Sequence, residues 1–213
     1  MVSDEHDLLH PHLDDDHEET YYEKRIIALC NLLMDKGVIT SGELLEVLQE
    51  NQALNPSIGA KVVARAWNDP DFKQRLLNDG KGALAEMGIT LKRLDDIVTL
   101  ENTPSVHHVV VCTLCSCYPI PLLGPPPEWY KSEVYRSRVV KEPRQVLEEF
   151  GVEVPAEVEV RVVDSTAEIR YLVLPVRPKG TEGMSEEELT ELVTRDSMIG
   201  TGLISVPSAA TAV

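Results

Sequence analysis

Three cysteines fall within six residues, at Cys112, Cys115 and Cys117, and no other feature of the 213-residue chain limits local folding so narrowly. The β-branched run Val109-Val110-Val111 delivers them, and Tyr118-Pro119-Ile120-Pro121 follows, so a strand must empty into a tight turn that gathers three sulfurs. One further cysteine, Cys30, sits on the apolar helical stretch beginning at Ile26, where a buried core position is expected. A cluster of this kind serves a disulfide, a redox relay or a metal.

Spacing narrows the choice. Cys115-Ser116-Cys117 places two sulfurs and the backbone nitrogens of Ser116 and Cys117 around one point. Neither residue is proline, so both nitrogens can ligate once deprotonated, giving a roughly planar set of two nitrogens and two sulfurs. Cys112 can approach from below as an axial thiolate, which leaves one position open. Zinc prefers a tetrahedron, and structural zinc sites keep no vacancy, so this set suits a trivalent low-spin ion such as cobalt or iron. The alternative is zinc held by the three thiolates and His107 or His108, although zinc ligands usually come as two separated pairs. A disulfide is disfavoured, because Cys115 and Cys117 are too close for relaxed bridge geometry and no secretory apolar segment is visible.

Three regions are expected. Residues 1–20, with four histidines among many carboxylates, read as a disordered His/Asp-rich tail, a weak metal-gathering segment being the alternative. Residues 21–57 read as a helical arm, with a helix from Glu23 to Lys36 stopped by Gly37 and another capped by Ser41 and running through Glu50. Residues 58–213 read as a metal-binding α/β domain. There, helices at Ile58–Trp67 and from Asp69-Pro70 precede a strand at Val106–Val111, and a helix at Pro143–Phe150 precedes two further strands. Those strands, Val158–Val163 and Ile169–Val176, are expected to form a hairpin through Asp164-Ser165-Thr166, and Ser185 opens a last helix. Helices first and strands later predict an α+β fold rather than repeated βαβ units.

Composition sets the class of partner. With 36 acidic against 20 basic residues the net charge is −16, which disfavours nucleic acid and anionic membrane surfaces. No apolar run reaches the length of a membrane span. Only two Phe and two Trp are present, which suggests that another chain completes part of the apolar surface. A cytoplasmic location is expected.

The stretch Glu101 to Pro119 resembles the α subunit of nitrile hydratase. So do Gly59 to Trp67, Leu123-Gly124, Pro126 to Lys131, Tyr135 to Arg138, Glu142 to Arg144, Arg170 to Pro175, Arg177-Pro178, Gly180 to Gly183 and Val193 to Gly200. The resemblance runs over residues 24 to 203. The γ subunit of thiocyanate hydrolase carries the same cysteine motif and is the alternative. The resemblance implies a layered α/β sandwich whose N-terminal arm embraces a β subunit, in an αβ or α2β2 assembly, with a cobalt-insertion activator protein as a further partner. It implies a non-corrin cobalt(III) centre with Cys112 axial, Cys115 oxidised to a sulfinic acid, Cys117 to a sulfenic acid, and Ser116 and Cys117 supplying backbone nitrogens. It implies that the metal-binding domain over residues 58–213 is the catalytic one and hydrates a small nitrile to its amide, with the Cys117 sulfenate oxygen or an activated water attacking the carbon, and two β-subunit arginines hydrogen-bonding the sulfur oxygens.

Thr113 stands where cobalt-type members carry threonine and iron-type members serine, which favours cobalt(III) over iron(III). Ile120 departs from the pattern, replacing the tryptophan of nitrile hydratases and the arginine of thiocyanate hydrolase. It offers thiocyanate no charge, and it leaves the preferred nitrile open. Tyr118 and Trp129 are read as pocket lining or core. Arg170 is read as a hydrogen-bond donor near the sulfurs or as a structural ion-pair residue, and Arg136 and Arg138 as interface or framework residues. His107 and His108 alternate on their strand, so only one is expected to face the core.

Overall fold

Helix starts in this chain are written in its capping residues. The computed structural model describes residues 21–91 and 96–206, so the expected tail over residues 1–20 lies outside it. Helix α1 (Tyr21–Asp35) stops where Gly37 turns to a φ of +67°, open to glycine and strained for other residues. Thr40, rather than Ser41, caps α2 (Ser41–Ala53): its hydroxyl accepts the Glu43 amide at 3.1 Å while the Glu43 carboxylate accepts the Thr40 amide at 2.8 Å. The chain divides into two compact units between Gln49 and Glu50. In the first, Ile26 and Leu29 are 62% and 55% exposed, and Cys30 is half-buried instead of forming the expected core position.

The second unit opens with α3 (Ser57–Asn68), whose Val62, Val63 and Ala66 are buried. Asp69 caps α4 (Pro70–Asn78) by accepting the Phe72 amide, with proline in the first turn, and Asp79 caps α5 (Gly80–Glu86) through the Gly82 amide. Next come β1 (Asp96–Glu101) and β2 (Val106–Val111). Four helices follow: α6 (Ile120–Leu123), α7 (Glu128–Lys131), α8 (Glu133–Lys141) and α9 (Pro143–Glu149). The chain closes with β3 (Glu159–Asp164), β4 (Ile169–Leu174), α10 (Glu186–Leu192) and a 3-10 turn at Asp196–Met198. Ser185 caps α10 in a reciprocal pair with Glu188.

The expected hairpin does not form. Strand β1 pairs in parallel with β4, Asp96 opposite Ile169 through Glu101 opposite Leu174, and β2 pairs in parallel with β3, Val106 opposite Glu159 through Val111 opposite Asp164. Residues 165–168 pass the chain from one sheet to the other. Parallel strands need a long crossover, and residues 112–158 provide it for β2 and β3, carrying both the cysteines and helices α6 to α9. The fold is α+β as expected, with small parallel sheets in place of an antiparallel ribbon.

Strand β2 is buried from His107 to Val111. Beyond β3 on one side, its Val110 amide donates to Ile199 O at 2.9 Å. Both histidines are therefore buried, which corrects the expectation that only one would be. His107 Nε2 donates to Gly200 O at 2.8 Å and its Nδ1 accepts from Asn102. Asn102 Oδ1 accepts the His108 amide at 2.7 Å and its Nδ1–H at 3.2 Å. At Gly200, φ is +85° and an added Cβ would lie 1.9 Å from His108 O, so only glycine allows this approach.

Candidate metal centre

Val111 ends β2, and Cys112 to Cys117 leave its carboxyl end, the end at which parallel sheets gather their functional loops. Because β3 runs parallel and in register, its last residue, Asp164, lies at the same end. Its carboxylate accepts the Thr113 amide at 2.9 Å and the Thr113 hydroxyl at 2.5 Å. Ser165 donates its amide to Val111 O at 2.7 Å. From the crossover helices, Tyr135 Oη donates to Val110 O at 2.8 Å, Arg136 Nη1 to Thr113 O at 3.2 Å and Tyr130 Oη to Cys117 O at 2.9 Å. The loop is thus tied at both ends by side chains that lie outside it. Burial holds the Tyr130 and Tyr135 phenols above their usual range, so both remain protonated donors at neutral pH.

The ties bring the three sulfurs together. Cys112 and Cys115 Sγ are 3.4 Å apart, Cys115 and Cys117 Sγ 3.3 Å, and all three lie within 4.8 Å of one another. These are free thiols, well beyond disulfide length. For a metal–sulfur bond of about 2.3 Å, sulfurs at right angles lie about 3.3 Å apart and sulfurs at tetrahedral corners about 3.8 Å. The spacing at Cys115 therefore fits a right-angled donor set better than a zinc tetrahedron. His107 and His108 are engaged with Gly200 and Asn102, and neither joins the cluster.

The thiols differ in proton affinity. Hydrogen bonds from Cys117 and then Cys112 lower the Cys115 thiol, and the backbone amides of Ser116 and Cys117 add to the effect. Those are the two nitrogens the sequence singles out as ligands. Burial, followed by the hydrogen bonds of Cys115 and Cys112, pushes Cys117 up to about 12. The Cys115 amide donates to the Sγ of buried Cys112 at 3.3 Å.

Unpaired polar atoms collect around the loop. Among the described residues, five buried side-chain atoms lack a partner, and all but Thr99 Oγ1 belong to residues at or beside the cysteines: Tyr118 Oη, Arg136 Nε, Ser165 Oγ and Arg170 Nε. Each can donate, and buried donors in native proteins are seldom left vacant. Arg170, whose charge reaches Cys117, is the one of these that lies near a sulfur, and a donor there fits an oxygenated thiolate centre.

The family model for the nitrile hydratase alpha chain matches residues 20–202. The chain belongs to that family. The cobalt-containing nitrile hydratase subunit alpha of Pseudonocardia thermophila is 55% identical over 179 residues, 83% of this chain and 87% of the relative. Thiocyanate hydrolase subunit gamma of Thiobacillus thioparus is 42% identical over 192 residues, 85% of this chain and 78% of the relative. Among solved structures, a double mutant of the Fe-type nitrile hydratase from Comamonas testosteroni Ni1 superposes with a TM-score of 0.85 at 39% identity, covering 92% of this chain and 98% of that one. The fold is that of the nitrile hydratase α chain, and the cluster of Cys112, Cys115 and Cys117 is its metal centre, serving hydration of nitriles to amides.

Other residues placed near the loop by sequence have separate tasks. Tyr118 is buried and stacks edge-on against Tyr130 at 4.9 Å, while Trp129 packs on Tyr135 and Phe150 in the core. Arg170, at the start of β4, donates to Thr166 O and lies close enough to Cys117 to favour its thiolate. Arg138 is framework, paired with Glu142 and Glu149. The loop ties made by Asp164, Tyr130 and Tyr135 were not expected from sequence, because each depends on a pairing or packing formed far along the chain.

Proposed function

We propose that Cys112, Cys115 and Cys117, with the backbone nitrogens of Ser116 and Cys117, hold a non-corrin cobalt(III) ion, and that this chain is the catalytic α subunit of a nitrile hydratase. The carrying observation is the gathering of three sulfurs within 4.8 Å of one another, Cys115 Sγ lying 3.4 Å from Cys112 Sγ and 3.3 Å from Cys117 Sγ. Bound there, the ion supplies Lewis acidity that polarises a C≡N bond. Cobalt is favoured over iron by Thr113 and by the 55% identity to a cobalt-containing relative.

The chain's own residues divide the remaining work. Cys115 as sulfinate and Cys117 as sulfenate donate less electron density than plain thiolates, and Cys117 presents an oxygen that can attack carbon or draw a proton from water. Tyr130 fixes the carbonyl beside it. Leu114 and Ile120, 89% and 40% exposed, put apolar side chains at the loop, and Ile120 itself offers the thiocyanate anion no charge, which suits a neutral nitrile better.

A β-type subunit covers this loop and the apolar stripe of Ile26, Leu29, Leu45 and Leu48. Residues 21–57 form the arm that reaches this partner, and residues 58–213 form the catalytic domain. The pair assembles as αβ or α2β2, and an activator protein delivers cobalt. Three thiols that must stay reduced until then suit a cytoplasmic location. Among the described residues no helix is long and apolar enough to cross a membrane.

Purification from cobalt-supplied cells tests this reading. One cobalt per chain, a peptide over residues 112–117 heavier by three oxygens, and turnover of acrylonitrile but not thiocyanate are expected. Stoichiometric zinc, or unmodified thiols in a fully active preparation, would overturn it. Faster turnover of thiocyanate than of any nitrile would move the chain to the thiocyanate hydrolase reading.

A further inference from the structure

We infer that Arg136 is a positioning residue for the metal loop, acting through Thr113 in concert with Asp164. Thr113 is the residue through which the chain passes from Cys112 toward Cys115. The peptide before it is held by its N–H on the Asp164 carboxylate, and the peptide after it by its C=O on Arg136 Nη1. An anion and a cation, from β3 and α8, grip the two sides of one residue. Both bonds involve an ionised group and are stronger than ordinary amide contacts. Between them they fix the path that sets the Cys112 to Cys115 spacing.

Ordinary framework duties do not account for Arg136. Arg138, two residues along the same helix, is saturated by Glu142 and Glu149. Arg136 forms no ion pair among the described residues, and its Nε is buried without a partner, an arrangement that costs stability. What it holds is the Thr113 carbonyl. Leu114, the next residue, is 89% exposed, so packing does little to order the loop there and the paired grip must do so. The purpose given to the loop rests on the metal reading; the grip itself belongs to the metal-free chain and can be measured in it.

The test uses the full-length protein together with the subunit that co-purifies with it, metal-free and cobalt-loaded, as wild type, Arg136→Ala, Arg136→Lys and, for control, Arg138→Ala. In the metal-free protein, amide exchange over residues 112–117 should be about tenfold faster in Arg136→Ala, the loss of one charge-assisted bond, while the β1 peptide exchanges as in wild type. Lysine keeps the charge and one donor and should restore part of the protection. Loaded with cobalt, Arg136→Ala should show a displaced sulfur-to-cobalt absorption band, and Arg138→Ala an unchanged one. Wild-type exchange of the loop in Arg136→Ala would overturn the inference. So would equal acceleration of loop and β1 that lysine fails to correct, which marks general unfolding. Absence of cobalt from the wild type would overturn the metal reading and leave the exchange result to decide on Arg136.

Discussion

Asp164, the last residue of β3, accepts both the amide and the hydroxyl of Thr113, at 2.9 and 2.5 Å, and so fastens the end of one strand to the loop that leaves its parallel neighbour. An asparagine here keeps the shape but offers one good acceptor and an amide that faces a second donor. Asp164→Asn should lower nitrile turnover about tenfold or more, the scale of a lost charged hydrogen bond, with reduced cobalt content and little change in Tm. Turnover and cobalt per chain, measured on one preparation, check it.

Tyr130 makes the matching contact at the far end of the loop. Its hydroxyl, kept protonated by burial, donates to Cys117 O, and Tyr130→Phe removes that bond while retaining the ring stacked on Tyr118. A loss of about 1 kcal/mol, and a drop of a few degrees in Tm, is expected. Turnover should fall further than stability does, since the freed carbonyl adjoins the sulfur that acts on substrate. Paired thermal melts and kinetics of the variant provide the comparison.

What the sequence made legible were features written locally. Asp69-Pro70, the Ser185 to Glu188 pair and Gly37 mark helix ends with their own side chains or backbone freedom, and the cysteine spacing states its chemistry within six residues. Asp164-Ser165-Thr166 was misleading: its turn-forming residues read as a hairpin, yet the flanking strands pair with β2 and β1, whose register no local signal carries. Strand β1 itself went unforeseen. Both histidines are buried because a segment near residue 199 closes the second edge of β2, which alternation along one strand cannot reveal. The ties on the loop stayed hidden for the same reason, Thr113 and Asp164 being 51 residues apart.

The histidine pair makes stability depend on pH. Burial first, and for His108 the nearby Arg161 second, hold both below their ordinary value of 6.5. Protonating His107 Nδ1 would set it against the Asn102 amide that donates to it. The unfolded chain therefore binds protons near pH 6.5 that the folded chain refuses. Stability is full above that value and falls as pH drops through it toward the depressed folded values. Urea midpoints should be flat from about pH 8 to 7 and decline below about 6.5, and His107→Gln should make the decline shallower.

Cysteine substitutions separate the centre from the rest of the chain. Cys115→Ser removes the sulfur that Cys112 and Cys117 both contact, and should abolish cobalt binding and turnover together. Cys30→Ser, at a half-buried position in the first unit, should change stability by less than about 1 kcal/mol and leave cobalt content alone. Metal analysis of the two variants beside wild type settles the contrast.

The isolated chain should be inactive. Leu114 stands almost fully in water at the rim of the centre, and on α1 and α2 an apolar stripe is exposed that would bind its own kind or aggregate if left uncovered. A centre that polarises a nitrile also needs its solvent side closed, because bulk water weakens every electrostatic contact within it. The arginines expected from a β subunit suit that closure, being always charged and able to give paired hydrogen bonds to sulfur-bound oxygens. Removing residues 1–19 should then leave assembly and turnover intact. Removing residues 1–55, and with them Ile26, Leu29, Leu45 and Leu48, should prevent assembly, so that size-exclusion chromatography finds the two chains apart and turnover falls to background. Full nitrile turnover by the α chain alone would show that its site is complete without a second wall.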